Sequence, residues 1–154
     1  MNAVINSVHH EIRVDAPVEH AFDFARRTDR HHDWNPYLTF FHALEPIDAV
    51  GSTFDVILDL AGQSTSFRGT VAEATPPRLI RLHLAEEKST IDWTYRFEPD
   101  GEATQFTIDV EYERDGLFAG VVDRLMFHGG LERAVGHIAE NFAAMAPSTV
   151  PVTA

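Results

Sequence analysis

The chain has 154 residues, 44% of them apolar, and 11 Phe, 3 Tyr and 2 Trp supply bulky core material, so disorder is excluded and one domain with a substantial core is expected. Its 24 acidic residues against 12 basic give a net charge of −12, a field that repels phosphate backbones and anionic lipid and argues against nucleic-acid binding. With no cysteine, disulfides, thiolate nucleophiles, iron–sulfur clusters and thiolate zinc sites are ruled out.

Taken in chain order, Ser7 to Val14 alternates as a strand, with Val8, His10, Ile12 and Val14 on one face and His9, Glu11 and Arg13 on the other. Asp15-Ala-Pro17 stops it, and Pro17 suits the first turn of a helix that runs to about Asp29 and buries Val18, Ala21, Phe22 and Ala25. A second short helical piece follows through Trp34 and is closed by Asn35-Pro36. From Leu38 to Arg114 the chain reads as consecutive strands. They are broken at 45–51, 61–63, 75–78, 86–89 and 99–101. Phe54, Val56, Leu58 and Leu60 share one face, as do Ile91, Trp93, Tyr95 and Phe97, and then Phe106, Ile108, Val110 and Tyr112. Acidic and polar residues alternate with them, the pattern of an antiparallel sheet covered on one side. From about Leu117 to Ala146 the period becomes helical, with Leu131, Val135, Ile138, Phe142 and Met145 in one stripe that extends back through Leu117, Val121, Arg124 and His128. Gly129-Gly130 is a candidate kink.

The fold class expected is therefore α+β. A curved antiparallel sheet of about seven strands wraps around a long C-terminal helix, with two short helices after the first strand. Residues 1–146 form a single domain, and 147–154 are expected to be a flexible tail. No signal peptide and no run of roughly 20 apolar residues is present, so a cytoplasmic protein without membrane insertion is expected. Eleven of the 12 basic residues are Arg, which hints at a GC-rich bacterial genome.

Several local motifs resemble the SRPBCC, or START-like, helix-grip superfamily, and within it the polyketide cyclase/dehydrase and lipid-transport branch. They are Val14-Asp-Ala-Pro-Val18, Trp34-Asn-Pro36, Val50-Gly-Ser-Thr-Phe54, the run from Gly69 to Leu79, Phe97-Glu-Pro-Asp-Gly101 with Thr104, and the long final helix. The resemblance spans about Ser7 to Ala146 and implies a deep apolar cavity between sheet and helix. It carries no fixed catalytic residues, and fold does not choose among the superfamily's cyclases and carriers.

Candidate ligand-binding residues follow from the faces that would meet in such a cavity: Phe54, Val56, Leu58, Trp93, Tyr95, Ile108, Val110 and Leu131, with Arg124 as a candidate anchor for a carboxylate or enolate. The same residues read equally well as plain core. Among nine His, the pattern places His9, His20, His31, His32 and His137 on exposed faces or turns and leaves His42 and His83 unassigned. His10 and His128 occupy interior positions, where they are either core histidines bonded to a carbonyl or Tyr, or general acid/base groups. His spacing suits no metal, and neither a phosphate-cradling loop nor a dinucleotide fingerprint occurs, so no metal and no cofactor is expected. Two functions remain. One is a cofactor-independent cyclase/dehydratase acting on a polyketide-like molecule. The other is a non-catalytic carrier or sensor of a hydrophobic metabolite. In either case the partner is a hydrophobic small molecule and the protein a monomer or homodimer.

Overall fold

A computed structural model describes residues 6–60, 62–114 and 121–148, and for 114 and 121–125 it describes the backbone alone. Seven strands form one antiparallel sheet: β1 (Asn6–Val14), β2 (Leu38–Ala43), β3 (Thr53–Leu60), β4 (Gln63–Thr75), β5 (Leu79–Ala85), β6 (Ser89–Asp100) and β7 (Ala103–Arg114). Their order across the sheet is β1-β7-β6-β5-β4-β3-β2, so β1 and β2 are its edges. The strands end close to the predicted breaks. Gly51, Gly62 and Gly101 have φ of 87°, 77° and 63°, backbone that L side chains seldom adopt. The inward rows are those the alternation marked, and Phe54, Val56, Leu58, Trp93, Tyr95, Ile108 and Val110 are all buried.

Helix α1 (Val18–Arg26) is shorter than the pattern predicts. Arg27 leaves helical conformation at φ −78° and ψ 122°. The amide of Ile47 takes the freed Arg26 carbonyl at 3.2 Å, and Asp48 takes the Arg26 guanidinium at 2.8 Å. A long-range partner thus satisfies the group that another helical turn would have used. A short 3-10 turn over Thr28–Arg30 leads into α2 (His31–Trp34).

Helix α3 (Val121–Met145) runs unbroken through Gly129 and Gly130. Its predicted start at Leu117 lies outside the described residues. Leu131, Val135, Ile138 and Phe142 are fully buried. The helix lies chiefly along β1, with lighter contact to β3, β7 and α2. Phe142 is the hub of the aromatic core, stacked on Phe106 at 4.2 Å between ring centres, with Trp34 edge-on at 5.0 Å and Phe24 at 5.4 Å. Trp34 thereby pins α2 to the sheet, as its place in the sequence suggests. The Asp-Ala-Pro corner is tied down by the buried Thr104 hydroxyl, which donates to the Ala16 carbonyl at 2.8 Å. After α3 the chain makes a 3-10 turn over Ala146–Ser148, and the rest of the predicted tail lies outside the described residues. No helix among the described residues is long and apolar enough to cross a membrane.

Candidate functional site

Because α3 lies along β1, it covers one side of the inward sheet face and leaves the β3–β6 side to be roofed by other elements. There an apolar cavity of about 20 Å³ remains, room for about one water. Its floor is Phe54, Val56 and Leu58 from β3, Leu82 and Leu84 from β5, and Trp93 and Tyr95 from β6. Its roof is Leu38 and Phe41 from β2 with His31 and Asn35 from α2 and its C-terminal end.

The conformation of Phe54 depends on β4. Phe54 pairs directly with Gly69, and a Cβ at Gly69 would lie 2.1 Å from Phe54 Cε2. The ring therefore rests on bare backbone where any other residue would project a side chain. Its other side stacks on Phe41 at 5.5 Å, and Phe41 stacks on His31 at 4.9 Å with only 4° between planes. Three parallel or nearly parallel rings thus wall one side of the cavity.

His31 corrects the sequence reading, which placed it on an exposed face. It is only 2% exposed, packed 4.6 Å from Trp34 as well as on Phe41. Its Nδ1–H donates to the Arg27 carbonyl at 3.4 Å, a long and weak bond, which leaves Nε2 with a bare lone pair. Burial pulls its pKa down to about 4; the Arg27 carbonyl opposes this, and the neighbouring His32 adds to it. Tyr95 is also buried, and that burial pushes its phenol well above the ordinary range. The Trp93 indole lies alongside and works against that rise, yet Trp93 Nε1 finds no acceptor at hydrogen-bonding geometry. Every ionisable group in the wall is accordingly uncharged near neutral pH.

Of the residues expected to bind ligand, Phe54, Val56, Leu58, Trp93 and Tyr95 line this cavity, whereas Ile108, Val110 and Leu131 are buried elsewhere in the core. The side chain of Arg124 lies outside the described residues. His31, Asn35, Leu38, Phe41, Leu82 and Leu84 complete the wall and were not singled out in the sequence. The signal available for His31 was its i, i+3 spacing from Trp34, which puts both on one side of a helical turn.

His10 and His128 are not brought together. The His10 ring lies against Gly136, 3.7 Å from where a Cβ would stand, and Gly136 is eight residues beyond His128, about 12 Å along the helix axis. His128 instead belongs to a separate chain of hydrogen bonds. The Tyr112 hydroxyl donates to its Nδ1 at 2.8 Å, and its Nε2–H donates to Glu132 Oε1 at 2.9 Å. A carboxylate only accepts, so Glu132 fixes the tautomer and leaves Nδ1 to receive the phenol proton. His32 is exposed with Nδ1 near the Leu38 carbonyl at 3.1 Å, and exposed His137 shares a hydrogen bond with the Tyr37 hydroxyl at 3.2 Å. His20 is half-buried, another departure from the expected exposure, and donates to the Ala146 carbonyl at 2.6 Å. His42 is exposed, and His83 pairs with Asp92 on the outer sheet face at 3.0 Å.

The outer face carries a larger hollow, about 380 Å³, between β1, β4, β5, β6 and β7. Several of its side chains pair: Arg96 and His9 meet Asp109, Arg81 meets Glu73, and Asp92 meets His83. Such exposed pairs are screened and contribute little, and the hollow lacks the apolar lining of the inner cavity.

A curved sheet folded around its C-terminal helix, with an apolar hollow on the inner face, defines the helix-grip class of the SRPBCC/START-like superfamily. The chain belongs to the family described as "Polyketide cyclase / dehydrase and lipid transport", which it matches over residues 6–146. Among solved structures it is similar to the ZhuI aromatase/cyclase from Streptomyces sp. R1128, at 20% identity over 94% of both chains with a TM-score of 0.79. It is similar to TTHA0849 from Thermus thermophilus, at 16% identity over 94% of this chain and 100% of that one, TM-score 0.80. Truncated norcoclaurine synthase from Thalictrum flavum shows 15% identity over 97% and 98%, TM-score 0.70. At these identities the likeness is one of fold. No curated protein sequence matches the chain.

Proposed function

We propose that this protein binds a small hydrophobic molecule, polyketide-, aromatic- or lipid-like, in the cavity beneath α2 and acts as its carrier or sensor. The observation that carries this reading is the wall itself. Eleven side chains from β2, β3, β5, β6 and the α2 region converge on one apolar hollow, with neutral polar groups set among them. The hollow is small, so a ligand enters by displacing the rings of Phe41 and Phe54, and β2, which supplies Phe41, is an edge strand. Both tryptophans report on the event, since Trp93 is in the wall and Trp34 packs on His31. Native mass spectrometry of gently purified protein, followed by fluorescence and thermal titration with the molecule it retains, tests the reading. A ligand at a hundred times its Kd stabilises the native state by about 2.7 kcal/mol, a clear rise in Tm. If apolar aromatic and acyl compounds leave Tm and Trp emission unchanged, the reading is wrong.

A second reading, a cyclase/dehydratase, is favoured by the Tyr112–His128–Glu132 chain. An aromatase/cyclase and a norcoclaurine synthase share the architecture, so it accommodates ring-forming chemistry. On this reading His128 is the general base, acting through the Tyr112 oxygen on a substrate that extends towards β7 beyond the α2 cavity, which none of Tyr112, His128 and His10 lines. His10 is a further candidate. In an assay for ring closure or dehydration of a carbonyl compound, His128→Gln should lose a factor on the order of 10²–10⁴ while the fold is kept. Tight binding with no turnover in the wild type returns the protein to the carrier role.

A further inference from the structure

The hollow on the outer sheet face holds a pair of like charges at each end. At one end Asp92 of β6 and Glu111 of β7 are direct cross-strand partners, and both line the hollow. Like charges directly opposite one another in a sheet repel. Asp92 has the His83 ring beside it at 3.0 Å, but the Glu111 carboxylate has no partner among the described residues. At the other end Arg81 of β5, which pairs with Thr94, and Arg96 of β6, which pairs with Leu79, are diagonal neighbours. Their guanidinium groups are little used. Arg96 gives only its Nε–H, to Asp109 at 3.3 Å, and Arg81 lies 3.8 Å from Glu73, beyond hydrogen-bond reach. Each therefore keeps an open fork of N–H donors, of the kind that grips a carboxylate. Between the two ends stands Thr94. Its neighbours Trp93 and Tyr95 line the inner cavity, so alternation turns Thr94 outward, into the floor of the hollow. It is only 7% exposed, and its hydroxyl opens on the hollow and makes no hydrogen bond among the described residues.

We propose that this hollow is a second binding site, for a short zwitterion of the ω-amino acid type, with a carboxylate at one end and an ammonium at the other. The carboxylate lies on the open forks of Arg81 and Arg96, and the ammonium lies between Asp92 and Glu111. The Thr94 hydroxyl both donates and accepts, so it can meet the ligand from between them. Asp92 and Thr94 are successive residues on one face of β6, which sets the two ends about 7 Å apart along the strand. An α-amino acid carries both charges on neighbouring atoms and reaches one end only, whereas a few methylenes between them span the hollow. A metal ion does not suit the site, because no group of three or more His, Asp or Glu among the described residues could hold one. A plain organic cation would leave both guanidinium forks unused. A plain anion would leave Asp92 against Glu111 and would meet a chain of net charge −12. The hollow is on the opposite side of the sheet from the inner cavity, so this proposal is independent of the function proposed for that cavity.

The test is an NMR titration of 15N-labelled protein at low salt with matched probes: 5-aminopentanoate, its α-isomer norvaline, pentanoate and pentylammonium. 5-Aminopentanoate should move the amide signals of Thr94 and Glu111 and the Nε signals of Arg81 and Arg96. The indole signals of Trp34 and Trp93, which report on the inner side of the sheet, should stay in place. Its affinity should exceed that of each other probe by about three- to fivefold, the worth of one partly exposed charge pair. Glu111→Gln and Arg81→Gln should each remove about that factor, the first by weakening the hold on the ammonium and the second on the carboxylate. Thr94→Val deletes a hydroxyl that bonds nothing in the folded protein, so it should keep the wild-type Tm and still weaken 5-aminopentanoate. If any of the other three probes binds as well, what acts is a single charge, and the proposal is overturned. It is overturned equally if all three variants bind 5-aminopentanoate unchanged, if the indole signals move in place of the outer-face signals, or if no probe binds. None of these results removes the reading of the inner cavity.

Discussion

Gly69→Ala should disturb the cavity wall more than its single added methyl suggests. The new Cβ would stand 2.1, 2.3 and 2.7 Å from three atoms of the Phe54 ring. Ordinary contact begins near 3.4 Å, so the ring edge must retreat by about 1.3 Å. It cannot retreat freely, because Phe41 is stacked on it at 5.5 Å and Phe54 is only 3% exposed. Overpacking of this kind costs about 1–3 kcal/mol. In a domain of this size that corresponds to a fall in Tm of roughly 2–12 °C. Thermal and urea unfolding measure it. Phe54→Leu in the Gly69→Ala background removes the ring that clashes, so the two changes together should cost less than their sum by about 0.5–3 kcal/mol. An unchanged Tm in Gly69→Ala, or strict additivity in the double variant, would refute the reasoning that Gly69 is required by the Phe54 ring.

His31 gives a pH dependence. Its pKa is depressed from 6.5 to about 4 in the folded state, so the unfolded chain binds the proton first. Stability is complete above about pH 6.5 and is lost as pH falls towards 4, by about 1.4 kcal/mol per unit and roughly 3 kcal/mol in all. Urea midpoints at pH 7 and 4.5 should converge in His31→Phe relative to wild type; an equal acid loss in both would assign it elsewhere. His9 acts in the opposite sense, since its hydrogen bond to Asp109 raises its pKa, but it is exposed and its share is small. Phe142→Ala removes the ring shared by Phe106, Trp34 and Phe24 and should destabilise by about 3–5 kcal/mol in denaturant titration; a loss below about 1 kcal/mol would show that the core re-forms without it.

The fold was legible because two periodicities carry it. Period-2 rows such as Ile91, Trp93, Tyr95 and Phe97 showed which side of each strand is buried, and the step from Leu131 to Phe142 showed the helix face. The site was legible only in part, since alternation identifies the inward face but not which portion of that face the long helix covers. Ile108, Val110 and Trp93 look alike in the sequence, yet only Trp93 lines the cavity. That difference is tertiary: it depends on α3 lying along β1. The same holds for Leu82 and Leu84, which supply part of the floor. His31 was hidden for another reason. Its neighbours Asp29, Arg30, His32 and Asp33 are polar, and in so short a helical piece the one buried side is a single residue wide. His128 was aimed correctly towards the sheet, but its partner Glu132, one helical turn on, carries no signal apart from the i, i+4 spacing common to many exposed pairs.

The small volume of the cavity has a kinetic consequence. On the ligand-binding reading, a molecule the size of one aromatic ring exceeds a space that holds about one water, so the resting conformation must widen before it binds. Affinity is then reduced by the fraction of molecules open at any moment. Association does not keep rising with ligand concentration. It levels off at the rate at which the Phe41 and Phe54 rings part, and that ceiling is a property of the protein, shared by ligands of different chemistry. Trimming Phe41 should raise the ceiling and tighten apparent binding together, while the release of bound ligand quickens. In such a protein the residues that set how fast a molecule is taken up are not those that choose which molecule it is.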